Sequence, residues 1–175
     1  MKEGIKGILT MKVEEKDSAK VVGSGLLDVF STPSLLAFIE KTCWTSVSEF
    51  VAEGETSVGT SVSFKHLKAT PIGMKVTCES TLSQVDGKKL VFDFVVKDEL
   101  DLIAEGRHER FVVKSEKFQE RTEEKLKAWQ EGQGQEKLNY VPESDVYLDQ
   151  DKGSISPEEA TDKITIDNYI NKSSR

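Results

Sequence analysis

Thr32, Glu40 and His66 bring a hydroxyl, a carboxylate and an imidazole into one short stretch of the chain, each on an element that is otherwise apolar in pattern. Thr32 opens an amphipathic helix. Glu40 lies two turns further along the same stripe, and His66 closes the alternating strand that follows. A carboxylate and an imidazole can exchange protons with water and a leaving group, and a hydroxyl can orient either. Converging at a helix start, they are the ingredients of ester or thioester hydrolysis.

The elements that must position these residues are readable from periodicity. Thr32-Pro33 is a helix start in which the Thr hydroxyl accepts a free backbone N–H and Pro occupies the first turn without cost. Leu35, Leu36, Ile39, Cys43, Val47, Phe50 and Val51 then recur at three- and four-residue steps until Glu53-Gly54 ends the run. Glu40 shares a face with Leu36, Cys43 and Val47, and a carboxylate in a buried stripe needs a partner. Each residue alone also has a plain structural reading: Thr32 as a helix cap, Glu40 as a stripe-edge residue reaching solvent, His66 as a satisfied core histidine. Cys43 reads as a small buried hydrophobe rather than a nucleophile.

Ahead of the helix, Ile5 to Glu14 and Ala19 to Ser24 read as short strands. After it, Thr56 to His66 alternates, with Val58, Thr60, Val62, Phe64 and His66 on one face, and Pro71-Ile72-Gly73 marks a turn. Met74 to Val85 and Leu90 to Lys97 flank Asp86-Gly87, a strong hairpin signal. Leu102 to Lys114 is a further strand. The expected fold is α+β, an antiparallel sheet wrapped around a long central helix.

The 175 residues carry a net charge of -7, but residues 115 to 175 hold 14 acidic and 9 basic side chains, leaving 17 and 15 in the rest. The main body is therefore nearly neutral. Without a basic stripe interleaved with aromatics, a nucleic-acid surface is not expected. No stretch approaches the roughly 18 apolar residues of a membrane span, and the N-terminus lacks an apolar leader, so the expectation is a cytoplasmic protein without a membrane partner. Cys43 and Cys78, with no CxxC and only two histidines, fit a reducing compartment and predict no metal site and no cofactor.

The segments VFSTPSLLAFIE, SVGTSVSFKHLKATPIGMKV, VDGKKLVFDFVVKD and IAEGRHER resemble the thioesterase-like hotdog superfamily, specifically the fluoroacetyl-CoA thioesterase type, over roughly residues 5 to 115. In that family a Thr at the start of the central helix, a Glu eight residues later and a His a further 26 residues on form the catalytic triad. Thr32, Glu40 and His66 stand at those intervals. The resemblance also implies substrate-binding roles for Gly59, in the strand leading to the His, and for Arg110 in the stretch Gly106-Arg107-His108-Glu109-Arg110. It implies a hotdog fold, an acyl-CoA substrate with CoA present only as part of it, and a homodimer with acyl-CoA bound at the subunit interface. Alternation places Gly106, His108 and Arg110 on one strand face, so Arg110 reads either as a ligand for a CoA phosphate or as a partner for a structural carboxylate. The family pattern gives His108 no definite role.

Two departures bear on function. Leu26 and Leu27 stand where a fluoroacetyl-selective enzyme is expected to place an aromatic lid, so selectivity for fluoroacetyl is not expected, and a short-chain acyl-CoA remains the expected substrate class. The domain itself is expected over residues 1–117, with a C-terminal helix over 118–134 in which Phe118, Thr122, Leu126 and Trp129 form one stripe. Residues 135–175 form an acidic tail, read either as a solvated extension or as a docked segment, with a helix start at Ser156-Pro157-Glu158-Glu159. The expected activity is hydrolysis of an acyl-CoA by Thr32, Glu40 and His66; the alternative is a non-catalytic hotdog module that binds acyl-CoA.

Overall fold

Five strands and one long helix place the candidate residues. The computed structural model describes residues 1–132, and Met1–Glu124 forms one compact unit. In chain order the elements are β1 (Lys6–Lys12), α1 (Ala19–Val22), α2 (Thr32–Val47), β2 (Glu55–His66), β3 (Lys75–Asp86), β4 (Lys89–Asp98), β5 (Leu102–Lys114) and α3 (Ser115–Gln130). The strands form one antiparallel sheet in the order β1-β3-β4-β5-β2, which leaves β1 and β2 at its edges.

The hairpin expected at Asp86-Gly87 joins β3 to β4, with Gly87 at φ +56°, a conformation that costs a glycine little. Asp98 closes the next turn, its Oδ1 accepting the N–H groups of Leu100 and Asp101. The apolar stripe of α2 buries Leu35, Phe38, Ile39, Cys43 and Val47 against Val76, Cys78, Leu82, Phe92, Phe94 and Val96 of the central strands. Burial of each such side chain stabilises the fold by roughly 1.5–3 kcal/mol, so the α2–sheet contact holds the site's scaffold rigid.

Three local expectations are corrected. Ala19 to Ser24 is not a strand: Ser18 Oγ accepts from Val21 N, Gly23 adopts the left-handed conformation at φ +80°, and between this cap and this stop four residues form α1. Thr32 is not the cap of α2. Ser31 is, its Oγ accepting from Ser34 N at 3.1 Å, and Thr32 is the first helical residue with its hydroxyl released for another partner. The stripe also stops early, because α2 ends at Val47 and a single 3-10 turn at Ser48–Phe50 leaves Phe50 exposed.

The fourth correction concerns β2. Its register against β5 shifts between Gly59 and Ser61, a bulge in which Thr60 is the extra residue. Val58, Thr60 and His66 therefore do not share one face. Gly59, paired with Arg110, joins Val62, Phe64 and His66 on the face toward α2, while Val58 turns to the other.

β5 continues into α3, where Phe118, Leu126 and Trp129 are all about half exposed. The helix was expected over 118–134 but begins at Ser115 and closes at Gln130, with Gly132 at φ +81°. Gly134, the tail over 135–175 and its helix start at Ser156 lie outside the described residues.

Candidate active site

The entry into α2 is tied to the exit of β2 by backbone. Phe30 N donates to Thr70 O, Val29 bridges Pro71, and Leu67 N donates to Ile103 O. The loop after β2 is thereby pinned beneath the first turn of α2. This juxtaposition brings Thr32 Oγ1 to 3.0 Å from His66 Nδ1, so the hydroxyl that does not cap the helix bonds the imidazole instead.

His66 Nε2 is enclosed and has no hydrogen-bond partner among the described residues. Burial pushes the imidazole below its ordinary value, with the Lys68 backbone pulling weakly the other way, so the ring is neutral at pH 7. A cavity of about 370 Å³ opens beside the pair, lined by Val29, Phe30, Thr32, His66, Leu67 and Lys68 among others. Leu26 and Leu27, in the loop before α2, are largely exposed.

Glu40 stands elsewhere. Eight residues along α2 carry it about 12 Å from Thr32, and Gly59 lies seven residues before His66, roughly 20 Å along β2. Its carboxylate rests on Gly59: a Cβ built there would meet Glu40 Oε1 at 2.5 Å and His108 Cε1 at 3.2 Å. Only a glycine at this strand position lets the carboxylate settle against the backbone. The bulge at Thr60 turns that glycine toward α2.

Behind Gly59 is a buried polar cluster. Arg110, 6% exposed, donates from Nε to Ser57 Oγ at 2.9 Å, from Nη2 to Ser57 O at 2.6 Å and from Nη1 to His108 Nε2 at 3.0 Å. His108, 1% exposed, places Nδ1 2.9 Å from Ser61 O. His108 Nε2 lies 3.8 Å from Glu40 Oε1. Burial lowers both Arg110 and His108 from their ordinary values. Within one chain, then, Thr32 meets His66, while Glu40 meets Gly59 and His108, and His108 in turn holds Arg110.

Cys43 is fully buried one turn from Glu40, and burial pushes its thiol up to about 12, which removes the thiolate a nucleophile needs. Sequence reasoning missed Ser57, which grips Arg110. Its position two residues before Gly59 on the same face was the available signal.

The family model for fluoroacetyl-CoA-specific thioesterase matches residues 13–116, a span that contains every one of these groups. The chain belongs to the fluoroacetyl-CoA-specific thioesterase family. A curated relative, fluoroacetyl-CoA thioesterase of Streptantibioticus cattleyicolor, is 34% identical over 101 residues, covering 58% of this chain and 73% of that protein. A solved fluoroacetyl-CoA thioesterase superposes with a TM-score of 0.69 at 27% identity, over 71% of this chain and 97% of the other. A Thr-to-Ala variant of that enzyme was solved in complex with fluoroacetate. A thioesterase superfamily member from Thermus thermophilus shares the fold at 22% identity, with a TM-score of 0.69 over 74% of this chain and 96% of that one. The architecture of this family member is the hotdog fold.

Proposed function

We propose that this chain, an acyl-CoA thioesterase by family, hydrolyses a short-chain acyl-CoA to the free acid and CoA, and that Thr32, Glu40 and His66 carry the reaction. The observation that supports the reading most is the pair of half-sites. One offers a neutral imidazole with a free Nε2 beside a cavity. The other offers a carboxylate with no hydrogen-bond donor among the described residues, lying on a glycine.

The two halves are complementary, and β2 gives a way to unite them. It is an edge strand, and an unpaired edge invites a second strand. In our reading β2 pairs antiparallel with the same strand of a second copy about a two-fold axis through Ser63, with Thr60 standing outside the pairing as the extra residue of the bulge. That axis sets His66 opposite the partner's Gly59 and keeps both on one face of a continuous sheet. Thr32 and His66 of one protomer and the partner's Glu40 then face one acyl-CoA.

In that site the thioester carbonyl lies between Glu40 and His66. Glu40 either attacks the carbonyl carbon directly or takes a proton from the water that does. In both routes the C–S bond breaks, the acyl group leaves as the acid with one oxygen from water, and a proton of that water passes by way of His66 Nε2 to the departing thiolate, which leaves as free CoA thiol. The Thr32 hydroxyl fixes the ring that makes this transfer. Arg110 lends positive charge where the carbonyl oxygen becomes negative, and Gly59 leaves the room. The substrate is a short acyl group without selection for fluorine, since Leu26 and Leu27 replace the expected aromatic lid.

Thiol release from a panel of straight-chain acyl-CoAs tests the reading. Glu40→Gln and His66→Ala should each lose roughly 100-fold or more in kcat, the scale of an acid–base group. Wild-type turnover by both variants would refute it.

A further inference from the structure

His108 is fully buried, touches three polar neighbours and has no assigned role. Its protonation is fixed by its partners alone. The Ser61 carbonyl can only accept, so Nδ1 carries the hydrogen; the Arg110 guanidinium can only donate, so Nε2 offers its lone pair. The ring is neutral, and its approach to Glu40 at 3.8 Å is not an ion pair.

Arg110 is the unusual member. It is a buried guanidinium, yet no carboxylate lies within 4.0 Å of it among the described residues. Glu40 is its nearest charge of opposite sign in effect, raising its affinity for the proton. A free guanidinium beside a free carboxylate closes on it in a two-pronged pair. Here three acceptors hold it back: Ser57 Oγ, Ser57 O and His108 Nε2. The first two anchor Nε and Nη2, and only His108 engages Nη1.

We propose that His108 is a positioning residue for Glu40: by taking the Nη1 donor, it keeps Arg110 from pairing with the carboxylate, so that Glu40 feels the positive charge but keeps its lone pairs for water or the thioester. This rests on the assignment of Glu40 as the acting carboxylate. A salt-bridged Glu40 would be a poor nucleophile and a poor base, so the separation serves turnover. The Ser61 carbonyl that orients the ring borders the bulge at Thr60, which gives the bulge a second use beyond exposing Gly59.

Two variants divide the ring between them. His108→Asn keeps a donor where Nδ1 was and removes the acceptor of Arg110; His108→Gln restores an acceptor where Nε2 was. On the straight-chain acyl-CoA that the wild type turns over fastest, His108→Asn should lose about 10- to 100-fold in kcat, the scale of a carboxylate misplaced by about 1 Å, with KM changed less than about threefold. His108→Gln should recover most of that loss. A crystal structure of His108→Asn should show an Arg110 nitrogen within hydrogen-bond distance of Glu40. Equal losses in both variants, with Arg110 still away from Glu40, would reduce His108 to a packing residue and overturn the proposal, as would wild-type kcat in His108→Asn. If His108→Asn does not fold, His108→Gln decides: kcat within about tenfold of wild type supports the proposal, and a loss beyond about 100-fold refutes it. Glu40→Gln is measured alongside. An inactive Glu40→Gln beside a fully active His108→Asn sinks this inference alone, whereas an active Glu40→Gln sinks the assignment of Glu40 and this inference with it.

Discussion

The two ends of α2 hold their polar groups by different means. At the N-terminal end the Thr32–His66 pair is made by loop backbone: a capped helix start set on the strand exit through Val29, Phe30 and Leu67, beside an open cavity. At the Glu40 end the cluster is made inside the sheet, by a bulge, a glycine and a buried Arg110–His108 pair. The first half is set by loop backbone, with His66 Nε2 enclosed beside the cavity; the second lays a half-exposed carboxylate over buried Arg110 and His108 and is sterically exact about one missing Cβ. Substitutions of the residues that position Glu40 should therefore lose activity steeply, and those of the residue that positions His66, Thr32, more gently.

Gly59→Ala is the sharpest way to break that contrast. Its methyl would have to displace Glu40 Oε1 from 2.5 Å and crowd His108 at 3.2 Å. Because the carboxylate is the movable end of a flexible side chain, the fold should survive while kcat falls about 100-fold, as a misplacement near 1 Å implies. Steady-state kinetics beside a thermal melt would check this, and unchanged kcat would remove the distinction between the halves.

The next comparison separates cap from chemistry within two adjacent residues. Ser31→Ala should cost about 1 kcal/mol of stability by removing the bond to Ser34 N, with little loss of turnover. Thr32→Ala should do the reverse, lowering kcat by roughly tenfold through the lost hold on His66 while barely moving the melting temperature. Denaturant melts and kinetics on both proteins decide the matter. A larger stability loss at Thr32 than at Ser31 would return the capping role to Thr32.

The smallest effect is on pH. His66 and His108 are both held below the ordinary histidine value, chiefly by burial. Between their folded values and about 6.5, the unfolded chain binds more protons than the folded one, so stability rises with pH and is lost on acidification below about pH 6.5. The melting temperature should thus fall from pH 7 to pH 5. The acid limb of kcat/KM, set by protonation of His66, should sit below about pH 6.5. A limb above that value would contradict a buried neutral imidazole.

Much of the scaffold was legible in the sequence. β5 runs over the residues its alternation and turn signals indicated, and the β3–β4 hairpin formed at its Asp-Gly turn, because period-two patterns and glycine turns are local signals. The misses have physical causes. α1 is shorter than any periodicity can register and is set by Ser18 and Gly23 alone. Ser31 and Thr32 are both capable caps, and tertiary demand from His66 decided between them. The bulge was hidden because Thr60 continues the alternation of its neighbours, with Gly59 as the only mark of the break. Alternation did place His108 and Arg110 together, but their hold on Ser57 and Ser61 depends on that bulge.

The central claim is that Glu40 and His66, held apart in one chain, act on one thioester across two copies. Mixing inactive Glu40→Gln with inactive His66→Ala, after unfolding and refolding together, tests it directly. Half of the assemblies would be mixed dimers, and each would contain one site with both variants and one intact site, so activity should return to about a quarter of wild type. A mixture that stays as inactive as its parents, with mixed dimers confirmed by mass, would contradict the shared site and confine the chemistry to residues of a single chain.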